Sequence, residues 1–303
     1  MDLELHVGGD FALTRVSLIE ESRDVLKTSY NPRSKLYPVS VNSCSSERKS
    51  VSEAVEQNNP VSPLAEWTLL DPVLTSVENW SAEQVLHWAY ETYGHDVAIA
   101  SAFGPEGIAL IDIAASVWPG LRVFVLDTSF LFPETYRLIE QVEERYGIEV
   151  ERVLPSLSPD EQARTLGSEL WKSDPDLCCR IRKVEPLERK VVQLKAWVTA
   201  IRREQTQARA HAKKVEWDPC LRVVKINAIA DWTHEMVWSY LRTRHLPYNP
   251  LHDRDYPSIG CTHCTRPIKA GEDSRAGRWP GFEKLECGIH SRNPIQTQGK
   301  PDK

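Results

Sequence analysis

The chain has 303 residues, enough for one large α/β domain or two small ones, with 37 basic against 43 acidic side chains and a net charge of −6. That balance excludes a surface built throughout to hold nucleic acid, while local basic clusters can still take a small anion. The longest apolar runs, 97–103 and 121–126, fall far short of the ~20 residues of a membrane-spanning helix, and the acidic first ten residues match neither a secretory signal nor a transit peptide, so a soluble, cytoplasmic protein with no membrane partner is expected.

Residues 1–75 form a poorly patterned leader, expected to be loosely ordered or separately packed. Ser81-Ala82-Glu83-Gln84 is a capping-box pattern and predicts a helix running to about Gly94. A buried strand at 96–102, a helix at 106–117, a second buried strand at 121–126, a helix at 133–146 and a third strand at 148–154 follow. This β-α-β-α-β order predicts an α/β fold with a parallel sheet flanked by helices on both faces. Further strands are expected at 197–201 and 223–226 and a helix at 233–244 capped by Thr233, with a loop-rich region built around cysteines from Asn249 onward. The expected organisation is a leader (1–75), a catalytic domain (76–290) and a short tail (291–303).

Four groups of residues carry chemistry. The turn from Ser101 through Gly104 to Gly107 joins a strand to a helix, where glycines let a backbone approach an anionic ligand. It is equally readable as a βα turn that merely needs glycine. Cys178-Cys179 and Cys261-Thr262-His263-Cys264 offer four thiolates. Adjacent thiolates reach one tetrahedral zinc awkwardly, whereas a [4Fe–4S] cubane offers each sulfur its own iron; zinc and unliganded core cysteines remain the alternatives. His263 is expected to face solvent. Basic residues adjoin these cysteines (Arg180, Arg182, Lys183, Arg275, Arg278), and Arg202-Arg203 end a strand, all suited to phosphate or sulfate oxygens. Arg189, Lys190, Lys213 and Lys214 are expected on a solvated face. The last group is Glu286-Cys287-Gly288-Ile289-His290, whose cysteine is either an accessible nucleophile or a surface thiol. Cys44 and Cys220 suggest no role.

Taken in order, the turn at 101–107, Leu126-Asp127-Thr128 with Phe132-Pro133-Glu134-Thr135, Cys178-Cys179-Arg180-Ile181-Arg182-Lys183, Trp197-Val198-Thr199, Arg202-Arg203, Tyr256-Pro257-Ser258-Ile259-Gly260-Cys261, Arg275-Ala276-Gly277-Arg278-Trp279 and Glu286-Cys287-Gly288-Ile289-His290 resemble the assimilatory sulfonucleotide reductases, and within them the bacterial adenylyl-sulfate reductases. The resemblance implies an adenine-nucleotide α-hydrolase-like fold with the nucleotide over the carboxyl edge of the sheet. It implies that Cys287 attacks the sulfate sulfur of adenylyl sulfate, that AMP leaves and that thioredoxin releases sulfite from the cysteine S-sulfonate. Cys178, Cys179, Cys261 and Cys264 would ligate a [4Fe–4S] cluster, and Lys183, Arg275 and Arg278 would contact the phosphosulfate. Ser101, Gly104, Gly107, Asp127, Thr128, Arg202 and Arg203 complete the implied nucleotide site. Two substitutions depart from the family pattern: Ser129 and Ala200 stand where glycines are usual.

Three other functions compete. The related 3′-phosphoadenylyl-sulfate reductases generally lack both cysteine pairs. ATP-pyrophosphatase-type thiolation enzymes carry a Ser-Gly-Gly-x-Asp-Ser loop that 101–107 does not supply. In an iron–sulfur sensor Cys287 would be dispensable.

Overall fold

The structure, a computed structural model, describes residues 70–284 and 286–290. Most of the leader, with Cys44, and the tail 291–303 lie outside the described residues. Within the last part of the expected leader, Asp71–Ser76 forms a helix, α1, and Leu70, Val73 and Leu74 pack against the core.

The elements then alternate: α2 (Ala82–Tyr93), β1 (Val97–Ala100), α3 (Pro105–Val117), β2 (Val123–Leu126), α4 (Pro133–Tyr146) and β3 (Val150–Val153). Four helices follow, α5 (Pro159–Leu166), α6 (Leu170–Ser173), α7 (Pro175–Cys179) and α8 (Glu185–Val191), with a π-helical turn over Arg180–Val184 between the last two. The chain closes with β4 (Ala196–Val198), β5 (Val215–Asp218), β6 (Val223–Ile226) and α9 (His234–Thr243).

Local chemistry explains the boundaries. Ser81 caps α2 reciprocally with Gln84, at 3.2 Å and 2.8 Å, and Ser158 does the same for α5 with Glu161. Pro133 opens α4, and Gly147 ends it at φ 61°, a left-handed conformation that glycine adopts without strain.

The sheet order is β3-β2-β1-β4-β6-β5. The first five strands are parallel, with Ile99 opposite Val123 and Val198, while β5 pairs antiparallel with β6, Trp217 opposite Val224. The expected parallel sheet therefore gains one antiparallel edge strand, because β5 and β6 are joined by a short hairpin whose turn places Arg222 at φ 54°. Alternation along the strands feeds two apolar layers. Ile99, Val123, Val125 and Val198 face the layer of α2, α3, α4 and α9, while Ala98, Phe124 and Trp197 face that of α8. From β1 the chain winds outward through β2 and β3, then crosses back to place β4 on the other side of β1. This reversal opens a crevice beyond the carboxyl ends of β1 and β4, the usual ligand position in an open parallel sheet.

Two lysines expected on a solvated face are buried. Lys190 is 4% exposed and pairs with Glu151; Lys214 is 2% exposed and pairs with Asp231 at 2.8 Å. Partners distant in sequence neutralise them, and a local charge run cannot reveal that.

Candidate active site

The loop leaving β1 is tightly held. Ser101 is buried, its Oγ accepts from the Phe103 amide at 3.0 Å, and a Cβ on Gly107 would lie 2.5 Å from that same oxygen. Only glycine fits there without moving the loop. Glu106, in the first turn of α3, accepts from Arg202 Nε and Nη2 at 3.0 and 2.9 Å and from Gln205 at 3.1 Å. Arg202 also donates to Glu204 at 3.0 Å. Two carboxylates thus neutralise Arg202, which ties the loop after β4 to the loop after β1. Arg203 turns elsewhere, to Glu78 and the Ala212 carbonyl.

Beyond the strand ends lies a cavity of about 920 Å³. Ser101, Gly104, Gly107, Thr128, Lys183, Arg202, Arg275, Arg278 and Cys287 all line it, whereas Asp127 and Arg203 do not. Asp127 instead accepts from the Ser129 amide at 2.9 Å and the Tyr136 hydroxyl at 2.7 Å, shaping the turn that presents Thr128. Arg278 stacks over Trp279, its charge centre 4.6 Å from the ring, and donates to Ser258 at 3.1 Å. Burial lowers the Arg275 pKa. Burial also works against the Lys183 ammonium, yet the facing Cys261, Cys287 and Cys179 more than offset it and raise its pKa. The far wall carries His234, Trp238, Tyr248 and His252, a wall built by α9 and the turn after it for which the sequence held no signal.

A second, small cavity is lined by Cys178, Cys179, Cys261 and Cys264 together with Phe130, Trp171, Arg182, Lys183, His263 and Trp279. The π turn follows directly on Cys178-Cys179, and all four thiols are buried and unbridged. Thr128 Oγ1 lies 3.4 Å from Cys261 Sγ. Arg182, 1% exposed, is fixed by Gln162 at 2.7 Å and the Thr128 carbonyl at 2.9 Å. Burial, then the neighbouring cysteines, push Cys178 up to about 12 and Cys264 to about 11. Four thiols gathered beside two cations form a donor set for a metal, since deprotonation on binding replaces costly crowding by favourable charge pairing. Among the described residues no group of three or more His, Cys, Asp or Glu is placed to hold a metal ion. His263 is exposed and stacks on Trp171 at 3.9 Å.

Cys287 stands where the two cavities meet: it lines the large one and packs against the group formed by Cys179, Cys261, Cys264 and Trp279. The segment carrying it is irregular, as expected, but docked. Lys284 pairs with Asp176, Ile289 enters the apolar layer of Trp197, and His290 stacks on Trp197 with ring centres 5.9 Å apart. Arg209, which no sequence pattern singles out, also lines the large cavity.

Residues 96–267 match the family described as "Phosphoadenosine phosphosulfate reductase domain". The chain is 46% identical over 222 residues to a protein of Halalkalibacterium halodurans named adenosine 5′-phosphosulfate reductase, a match spanning 73% of this chain and 96% of that one. It is likewise 46% identical over 207 residues to adenosine 5′-phosphosulfate reductase 2 of Bacillus subtilis, across 68% and 88% of the two chains. A crystal structure of phosphoadenylyl-sulfate reductase from Candida auris, a phosphate complex, superposes with a TM-score of 0.58 at 30% identity, covering 65% of this chain and 96% of that chain.

Proposed function

Because the chain belongs to the phosphoadenosine phosphosulfate reductase family, we propose that it reduces adenylyl sulfate to sulfite and AMP, with Cys287 as nucleophile and thioredoxin as reductant, in sulfate assimilation. The observation that carries the reading is the position of Cys287, on a nucleotide-sized cavity also lined by Lys183, Arg275 and Arg278, with Lys183 and Arg275 near enough to feel its charge. These cations would hold the phosphosulfate and offset charge on the departing phosphate. The Cys287 thiolate attacks sulfur, the bond from sulfur to the phosphate oxygen breaks, and AMP leaves with the electron pair. A thioredoxin thiolate then attacks Cys287 Sγ, sulfite departs, and the second thioredoxin thiol resolves the mixed disulfide, so that sulfur gains two electrons and the dithiol loses two. Reduced thioredoxin belongs to a reducing compartment, here the cytoplasm.

Cys178, Cys179, Cys261 and Cys264 would hold a [4Fe–4S] cluster, which when bound supplies order and local charge beside the anion site while the electrons come from thiols. Anaerobically purified protein should carry about four irons and four sulfides per chain, and replacing any of the four cysteines by serine should remove the brown colour and most activity. Stoichiometric zinc without sulfide would contradict this. For the reaction, sulfite release with thioredoxin is measured on each nucleotide: adenylyl sulfate should be used efficiently and its 3′-phosphorylated form poorly, and the reverse order would make the chain a phosphoadenylyl-sulfate reductase.

A further inference from the structure

Glu286 brings a negative charge to the cavity that Lys183, Arg275 and Arg278 also line, the wrong sign for a site that takes a phosphosulfate. Its bonds show how that charge is managed. Glu286 Oε2 accepts from Arg209 Nη2 at 2.8 Å and Oε1 accepts from Thr206 at 3.2 Å, while the nearest Arg275 nitrogen stands farther off at 3.7 Å. The carboxylate thus rests mainly on an arginine other than those facing the anion site. Arg209 is itself braced, donating from Nη1 to Gln205 at 2.6 Å, and Gln205 donates in turn to Glu106 in the first turn of α3. The Arg209 and Glu286 side chains are only 12% and 13% exposed, so the charge-assisted bond between them is weakly screened.

We propose that Arg209 is a positioning residue that holds the Cys287 segment closed over the cavity by binding Glu286, the residue next to the nucleophile. Its geometry is independent of the reductase reading; its consequence for turnover rests on it. Cys287 must lie inward to meet substrate and outward to meet thioredoxin, and one bond between two side chains from separate segments is the kind of contact that can break and re-form in each cycle. Ile289 and His290 anchor the segment from below, so loss of the bond loosens the segment at Cys287 and leaves the fold intact.

The test uses the full-length, cluster-loaded protein in two arms. In the first, without nucleotide, Cys287 is labelled with a bulky maleimide and the exposed Cys220 serves as internal reference. Arg209→Gln should label about tenfold faster at Cys287, the size expected from loss of one charge-assisted hydrogen bond, and at an unchanged rate at Cys220. In the second arm, Arg209→Gln should form the S-sulfonate about tenfold more slowly at saturating adenylyl sulfate while its affinity for AMP stays within about twofold. Arg209→Lys should restore most of both rates. Glu286→Gln should reproduce Arg209→Gln, and the double variant should be no worse than either single one, since both remove one bond. Wild-type labelling and adduct rates in Arg209→Gln and Glu286→Gln would overturn the proposal, as would faster adduct formation with tighter nucleotide binding in Glu286→Gln, which would make Glu286 a competing anion. Should the wild-type protein form no adduct, the reductase reading fails and the labelling arm still decides the role of Arg209.

Discussion

Arg278 owes its place to what its neighbour lacks: a Cβ on Gly260 would sit 2.4 Å from its Nη2, so the guanidinium lies flat against bare backbone. Arg278→Ala and Arg275→Ala should each raise KM for adenylyl sulfate by about tenfold or more with normal iron content, the signature of lost ligand contact rather than lost cluster support; full activity at low substrate in both would remove these residues from the site. His252 makes a different kind of statement. Burial first of all lowers its pKa, against the opposing pull of Glu106 and Asp253, so the folded chain prefers the neutral ring. The unfolded chain binds that proton near pH 6.5, and stability present above that value should be lost as the pH falls toward the depressed folded pKa. Denaturant midpoints at pH 7.5 and 5.5 should show this loss, and it should shrink in His252→Asn; an equal loss in that variant would assign the effect to other groups. At this scale the sequence could pick out Arg202 and Arg203 as a pair but could not divide them, because their partners Glu106 and Glu78 lie 96 and 125 residues away. Arg209 was invisible for the same reason.

The elements nearest the site depart most from periodicity. The helix over 133–146 and the strand over 223–226 form where the pattern placed them, and the capping box at Ser81 closes as drawn. β1 and β4 are shorter than their apolar runs because their carboxyl ends give way to the loops that build the cavity. The helices between 159 and 191 are short and interrupted by the π turn beside Cys178-Cys179, so no run is long enough to show a period. The turn after β2 is legible in a different way. Ser129 adopts φ 59°, its backbone N–H donating to Asp127 Oδ1 at 2.9 Å. The strain of this left-handed turn is carried by a residue that rarely takes the conformation. Ser129→Gly should raise stability by up to about 1 kcal/mol without altering iron content, as read from denaturant unfolding. A loss of stability would mean that the Ser129 side chain makes a contribution larger than the strain.

For the whole molecule, the alternation of strands and helices was enough to foresee a layered sheet with parallel strands, though not its antiparallel edge, and the reversal between β1 and β4 puts the crevice at the edge where chain segments distant in sequence converge. What the sequence could not convey is that the two groups of chemistry form two adjoining cavities and that Cys287 sits where they meet. That position makes the account testable in one step. Incubating the protein with adenylyl sulfate and no thioredoxin, followed by peptide mapping and AMP quantification, should yield an S-sulfonate on Cys287 with one AMP released per adduct, and reduced thioredoxin should discharge it as sulfite. An adduct on Cys44 or Cys220, or full turnover by Cys287→Ser, would contradict it.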